Sequence, residues 1–207
     1  MSYVNQAVEG MAVTWRNRDL QRSLDREQVE YFSKLAVQTP TKQSNKYFDV
    51  VSITNPDLIE KIYQHSAVPD PGLDGQPYNP QVIAPLVLLW MQCDLETGEL
   101  AKNYRYNSVR EGVDDETIDR HQAVGISSGV VAYEANRLGF QTGFCRCLDR
   151  KSICKEMQSY GMEIEEPLLL SLSIGHGRDS NPRQHQKFEW MIMEAHDRIE
   201  SNLFYIN

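Results

Sequence analysis

The first third of the chain carries apolar residues at helical spacing, separated by turn residues and one β-branched run. Residues 5–15 are predicted to form a first helix. A second helix begins after Asp25, because Gln28 three residues later completes the pattern of a capping box. Asn55 followed by Pro56 predicts the N-cap and first turn of a third helix. The apolar face of the second helix is formed by Val29, Phe32, Leu35 and Ala36.

Strand-type spacing occurs in four segments, which are residues 48–54, 81–92, 141–145 and 166–175. The second segment is apolar on both faces. Because proline cannot donate to a sheet, Pro85 is expected near the start of that strand or at a bulge. Residues 65–81 and 93–113 are predicted to be irregular. A short helix is expected over residues 151–160, and a helical tail over 184–202.

The longest helical pattern covers residues 115–138, and Gly139 is suited to the left-handed position that ends a helix. Small residues fall on one face of this helix, namely Gly125, Ser128, Gly129 and Ala132. Apolar residues cover the other faces, and a helix that is apolar nearly all round is normally buried. Either the core of a monomer or a second subunit could supply that cover.

Composition places the chain among ordinary globular proteins, with 41% hydrophobic and 24% charged residues in a length of 207. The net charge of −8 argues against partners such as nucleic acid or an acidic membrane. The apolar run at residues 83–91 is far too short to span a bilayer. The start of the sequence has no pattern of a secretory signal, so a cytoplasmic location is expected.

Four cysteines are present, and Cys145 and Cys147 form a Cys-Arg-Cys motif. A zinc site would need a second pair of ligands at suitable spacing, and the sequence has none. No metal is therefore predicted. The motif is interpreted as the end of a strand carrying incidental reduced thiols, with redox chemistry of the cysteines as the alternative.

Five stretches, taken in order, resemble the nitroreductase family of FMN-dependent flavoproteins. They are TWRNRDLQRSL, TPTKQSNKYFDVVSIT, IAPLVLLW, AVGISSGVVAYEANRLGFQTGFCRCLD and LSLSIGHGRDSNPR. The resemblance implies an α+β fold in which helices, including a long buried central one, surround a mostly antiparallel sheet. It implies one domain over residues 1–207, with a C-terminal helical extension at about 184–207, and a homodimer that holds FMN between its subunits.

The function that the resemblance implies is reduction of a small oxidised acceptor, such as a nitroaromatic, quinone or enone, by NAD(P)H. Hydride would pass through flavin N5 in a ping-pong cycle. The flavin carries the hydride, so no side chain is assigned a catalytic role. No GxGxxG motif follows a strand, which favours FMN over a dinucleotide cofactor bound in a Rossmann domain.

The resemblance also implies three sets of flavin-binding residues. In the phosphate set, the resemblance implies Arg16 and Arg183 as the phosphate ligands, since the arginine fork suits a phosphate, with Arg18 near them and Asn17 as a further cofactor-binding residue. The loop set consists of Pro40, Thr41, Lys42, Gln43 and Asn45. The set whose backbone is expected against the flavin ring near N5 consists of Phe144, Cys145 and Arg146.

Two other functions remain open from the sequence. One is a flavin-binding interaction protein with little turnover, favoured by the unusual sequence at residues 44–48. The other is a metal-binding regulator that uses the Cys-Arg-Cys motif, Cys93 and histidines. Each arginine of the phosphate set could also be an ordinary solvated side chain.

Overall fold

A computed structural model describes residues 3–66, 79–96, 115–162, 168–179, 184–185 and 188–192. In this part of the chain, four antiparallel strands form the main sheet, in the order β1-β2-β4-β3. The strands are β1 (Lys46–Ile53), β2 (Leu86–Glu96), β3 (Gln141–Cys145) and β4 (Leu168–Gly175). Five helices pack around it, α1 (Tyr3–Met11), α2 (Arg26–Val37), α3 (Pro56–Gln64), α4 (Asp115–Arg137) and α5 (Arg150–Ser159). The predicted α+β class is confirmed.

Strand β2 lies between β1 and β4, and its residues from Leu86 to Met91 are at most 2% exposed. The predicted strand began too early, because residues Pro80–Val82 form a 3₁₀ helix and regular pairing starts only after Pro85. Pro85 directly precedes β2, as expected of a residue that cannot donate to the ladder.

The alternation of side chains along β2 divides the core into two clusters. Leu86, Leu88 and Trp90 face α2 and α4, while Val87 and Leu89 face α3 and α5. The sheet is therefore covered by helices on both faces, which accounts for the continuous apolar run.

Local capping signals fix several helix ends as the sequence predicts. The Asp25 carboxylate accepts from the Gln28 amide, and the Gln28 side chain binds back to the Asp25 backbone. The Asn55 side chain accepts from the Leu58 amide at the start of α3. Gly139 has φ of 85° just beyond α4, in the left-handed region that glycine adopts without strain.

Helix α4 is buried on one side only, so the expectation of burial all round is wrong for the single chain. Ser128 and Ala132 are buried, whereas Gly125 is exposed. Ile126, Val130 and Tyr133 are 48%, 39% and 36% exposed. The small residues thus lie at the boundary between the buried side of α4 and an exposed apolar face. A helix that is apolar nearly all round does not indicate in its sequence which side is buried.

The predicted helical tail is wrong where the structure describes it. Residues Gln184–His185 and Phe188–Ile192 form two short strands, β5 and β6, which pair with each other in antiparallel orientation. Phe188, Trp190 and Ile192 alternate along β6, which is the period of a strand rather than of a helix. Residues 193–207 lie outside the described part. Among the described helices, none has the length and apolarity needed to cross a membrane.

Candidate functional site

The arginine-rich segment after α1 is bound to the end of the sheet where β4 finishes and β3 begins. The Trp15 amide donates to the Thr142 carbonyl at 3.0 Å. Arg18 forms a β-bridge with Gly177. The Asp19 amide donates to the His176 carbonyl at 2.8 Å. The Arg178 amide also donates to the Asn17 carbonyl at 3.2 Å, so three backbone hydrogen bonds hold residues 15–19 against this end of the sheet.

Arg18 is fully enclosed, with 1% of its surface exposed. Its Nη1 donates to the carbonyls of Gln81 and Ile83, both at 3.2 Å, and its Nε donates to the Gln141 carbonyl at 3.5 Å. A Cβ on Gly143 would collide with Nη2 of this guanidinium. Arg18 therefore connects the segment after α1 to the residues just before β2 and to the first residue of β3.

The charge of Arg18 has no carboxylate partner among the described residues, because its three acceptors are all backbone carbonyls. Burial, and secondly the nearby positive charge of Arg16, lowers the pKa of Arg18 to about 9. Arg18 is still protonated at neutral pH. Two cations held this close favour the binding of an anion, which would relieve both their repulsion and the cost of burial.

Further polar atoms beside this segment are buried without a hydrogen-bond partner among the described residues. They are Trp15 Nε1, Arg18 Nη2 and Gln141 Oε1. Trp15 and Gln141 also line a cavity of about 230 Å³, together with residues from the ends of α1 and α4. Buried polar atoms without a hydrogen-bond partner are rare in folded proteins. The arginine end therefore has the character of a binding site that lacks its ligand.

Residues 144–146, which are predicted to lie against the flavin ring, begin close to a residue that also contacts Arg18. Cys145 is buried and its thiol accepts from Gln81 Nε2 at 3.9 Å, while Gln81 also supplies a carbonyl to Arg18. Phe144 is half-buried and Arg146 is exposed. The structure therefore brings Cys145 and Arg18 to the same 3₁₀ helix, Pro80–Val82.

The loop set occupies a different place, between α2 and the start of β1. Pro40, Thr41 and Asn45 line an open cavity of about 510 Å³. The Lys42 ammonium pairs with Asp119 in α4 at 2.6 Å. Asn45 is buried and donates to the Tyr47 hydroxyl at 3.2 Å. Gln43 lies in the short 3₁₀ helix Lys42–Ser44.

Solved structures with the same arrangement of elements include nitroreductases. A nitroreductase from Bacteroides fragilis with bound FMN has a TM-score of 0.63, with 10% identity and 98% of each chain covered. Nitroreductase A from Vibrio parahaemolyticus has a TM-score of 0.62 and 12% identity, covering 98% of this chain and 79% of that one. The chain has the nitroreductase fold. No protein-family profile matches the sequence, and no curated protein is significantly similar to it.

A further structure with the nitroreductase fold is the NADPH:FMN oxidoreductase from Vibrio harveyi, complexed with NAD⁺. Its TM-score is 0.60 at 12% identity, over 96% of this chain and 80% of that one. Identities this low establish the fold alone. FMN and NAD⁺ are ligands of those proteins, and ligand binding by this chain depends on its own residues.

Within the nitroreductase fold, this chain holds Arg16 and Arg18 at one end of the sheet and the loop set at the opposite end. Lys42 contacts Asp119 near the start of α4, and Arg18 contacts Gln141 just beyond the end of that helix. From residue 119 to residue 137 a helix extends about 27 Å, at 1.5 Å per residue. One chain therefore cannot bring both sets to the same small ligand without large rearrangement.

Sequence reasoning missed the residues that organise the arginine end, chiefly Trp15, Gln81 and Gln141. Trp15 and Gln141 lie within stretches that resemble the nitroreductase family, but nothing in their spacing marks them as site residues, and Gln81 lies outside those stretches. Arg183 lies outside the described residues, so the structure does not place it. Among the residues that the structure describes, no group of histidine, cysteine and carboxylate side chains could hold a metal ion.

Proposed function

We propose that this protein is an FMN-dependent oxidoreductase that uses NAD(P)H to reduce a small nitroaromatic, quinone or enone. The observation that carries the proposal is the buried cation Arg18, with the half-buried Arg16 close enough to repel it, at one end of a nitroreductase fold. Their mutual repulsion and the absence of a carboxylate on Arg18 in the described structure suit a dianionic phosphate.

The residues of the chain would have separate tasks in holding FMN. Arg16 and Arg18 would bind the phosphate, joined by Arg183, and the backbone of residues 144–146 would face the ring. Lys42, released from Asp119 or shared with it, would favour negative charge on the reduced ring. When bound, FMN supplies the hydride chemistry at N5 that links NAD(P)H to the acceptor in a ping-pong cycle.

We further propose that the protein works as a homodimer with FMN between its subunits. Two observations support this arrangement. Arg18 and Lys42 are too far apart to share a flavin within one chain. The open apolar face of α4, with Ile126, Val130 and Tyr133, is of the kind that obligate interfaces bury.

The first experiment is the visible spectrum of the purified protein, before and after NADH or NADPH is added without oxygen. We expect a flavin spectrum that bleaches within seconds. Heat-released cofactor should migrate with FMN. FAD, or no flavin even after reconstitution, would contradict the proposal.

The phosphate assignment can be tested by titrating refolded apoprotein with FMN. Loss of one charge-assisted hydrogen bond costs about 1.5–3 kcal/mol, so Arg16→Ala should weaken binding roughly tenfold to a hundredfold. Arg183→Ala should act similarly, and Arg183→Lys should recover only part of the affinity because lysine lacks the fork. Arg150→Ala in α5 is the control. Equal affinity of Arg183→Ala and the control would remove Arg183 from the site.

A flavin-binding interaction protein with little turnover is the second candidate. It is favoured by the loop set, whose Lys42 and Asn45 side chains already bind Asp119 and Tyr47 within the chain. The anaerobic experiment separates the two functions, because this candidate would carry FMN that NADH and NADPH fail to bleach.

A further inference from the structure

Two cysteine side chains meet where β3 ends. Cys145 is the last residue of the strand and is 5% exposed, whereas Cys147, two residues later, is exposed. The Cys145 thiol turns toward its neighbour, with Sγ 3.9 Å from the Cys147 carbonyl oxygen. One thiol is thus open to solvent-borne reagents, and a second lies protected behind it.

The surrounding contacts keep the two residues together. Asn79 Nδ2 donates to the Cys147 carbonyl at 2.9 Å, and Gln81 Nε2 approaches the Cys145 sulfur at 3.9 Å. Burial is the main cause that raises the pKa of Cys145 to about 11, and the Cys147 thiol is among the other groups acting on it. Cys145 is therefore a protonated thiol at neutral pH, in contact with its partner.

We propose that Cys145 and Cys147 are a site of oxidation by hydroperoxides, which converts the two thiols into an intrachain disulfide. This inference uses only the thiols and their surroundings, and it does not rest on the proposed flavin chemistry.

The reaction has two balanced steps. The Cys147 thiolate attacks one oxygen of hydrogen peroxide, the O–O bond breaks, and Cys147 sulfenic acid and hydroxide form. The Cys145 sulfur then attacks the Cys147 sulfur, an S–S bond forms, and the sulfenic oxygen leaves as water with the proton of the Cys145 thiol. Both thiols are oxidised, and one peroxide is reduced to two waters. Cys147 reacts first because it is exposed to the peroxide, whereas Cys145 is buried.

The backbone permits such a bond. Residues two apart are separated by at most about 7 Å between Cα atoms, and disulfides span about 4.4–6.8 Å. Residues 146–149 lie outside helices and strands, and the Leu148 amide already bends back to the Arg146 carbonyl at 2.9 Å. The Cα atoms of Cys145 and Cys147 are thus within or close to the distance that a disulfide spans.

Peptide mapping provides a direct test, because trypsin cuts after Arg146, between the two cysteines. The folded full-length protein would be treated with limited hydrogen peroxide, alkylated and digested. We expect peptides 138–146 and 147–150 to appear joined, and lighter by two hydrogen atoms than their sum. Cys154→Ser and Cys93→Ser should leave this product unchanged.

Single variants identify the roles. Cys147→Ser should abolish the linked product, and Cys145→Ser should leave a sulfenic acid that dimedone traps on peptide 147–150. Dimedone trapping on wild type should be weaker, because Cys145 consumes the intermediate. Linkage of Cys147 to Cys154 instead, or alkylation of both motif cysteines after peroxide treatment, would overturn the proposal.

Discussion

The two ends of the sheet handle positive charge in opposite ways. At the arginine end, Arg18 is buried, and its hydrogen-bond acceptors in the described structure are all backbone carbonyls. At the loop end, Lys42 is partly exposed and paired with the Asp119 carboxylate. The first end would gain from an external anion, whereas the second already has its own. This difference shows why residue type alone does not locate a phosphate site: the partners that a cation already has decide whether it can accept another.

The largest effect is expected from separating the subunits, because assembly would bring the two ends to one flavin. Tyr133→Asp places a charge on the open face of α4 and should yield a monomer that loses FMN, since burying an unpaired charge costs several kcal/mol. Sedimentation and flavin content measure the outcome.

Tyr160→Asp is the matched control for this substitution, because Tyr160, directly after α5, is a tyrosine of similar exposure, 42% against 36%. It should leave assembly unchanged. A dimeric Tyr133→Asp protein that retains FMN would refute the proposed interface.

The next effect concerns stability at the two ends. Arg18→Met leaves the Ile83 and Gln141 carbonyls without their donor, while Gln81 keeps the Ser173 hydroxyl. We expect the free energy of unfolding to fall by about 2–4 kcal/mol. Lys42→Met removes only a partly exposed ion pair and should cost less than about 1 kcal/mol. Denaturant titration measures the free energy of unfolding of both variants. Equal decreases for Arg18→Met and Lys42→Met would contradict the proposed difference between the two ends.

A smaller effect is expected from two glycine substitutions. Gly143→Ala directs a methyl group into the Arg18 guanidinium and within 2.9 Å of the Gln81 carbonyl oxygen. This overpacking should cost about 1–3 kcal/mol. Gly129→Ala on the open side of α4 meets nothing within 4 Å in the chain and should stabilise the isolated helix by up to about 1 kcal/mol. Thermal unfolding compares the pair, and a neutral Gly143→Ala would mean that Arg18 is not tightly held.

The smallest effect is a pH dependence at the arginine end. Burial first, and the charge of Arg22 second, lowers the pKa of His176 from its usual 6.5. Because the folded pKa lies below the unfolded value, the unfolded chain binds more protons as the pH falls below about 6.5, and stability decreases there. His176→Gln should remove this part of the pH dependence of unfolding.

Binding of FMN should change the titration of His176. A phosphate near His176 should raise its pKa, which NMR titration of the imidazole can follow. Identical His176 titrations with and without FMN would place the anion elsewhere.

Much of the fold follows from local rules in the sequence. The capping box at Asp25, the cap at Asn55 and the terminator at Gly139 each act within one helical turn, so neighbouring residues suffice to predict them. The prediction of a helical tail is wrong because apolar content alone does not distinguish a helix from a strand. The spacing of two between Phe188, Trp190 and Ile192 indicates a strand.

The site was harder to predict because it depends on distances between segments. The sequence places Arg18 and Lys42 in two neighbouring motifs, but only the folded chain reveals that they lie at opposite ends of the sheet. Burial of Arg18 against carbonyls was also hidden, since those acceptors are backbone atoms that any residue supplies. Sequence motifs can propose a set of ligands, but the number of chains needed to assemble it is a property of the fold.

Strand β1 has a consequence for how the protein avoids aggregation. It lies at the edge of the main sheet and pairs only with β2 among the described strands. An edge of this kind can template pairing with another molecule, and KYFDVVSI is rich in residues that favour such pairing. Lys46 and Asp49, joined at 3.1 Å and largely exposed, interrupt its apolar surface. Their charges make the docking of a foreign strand unfavourable, so this weak ion pair protects solubility during folding more than it stabilises the folded state.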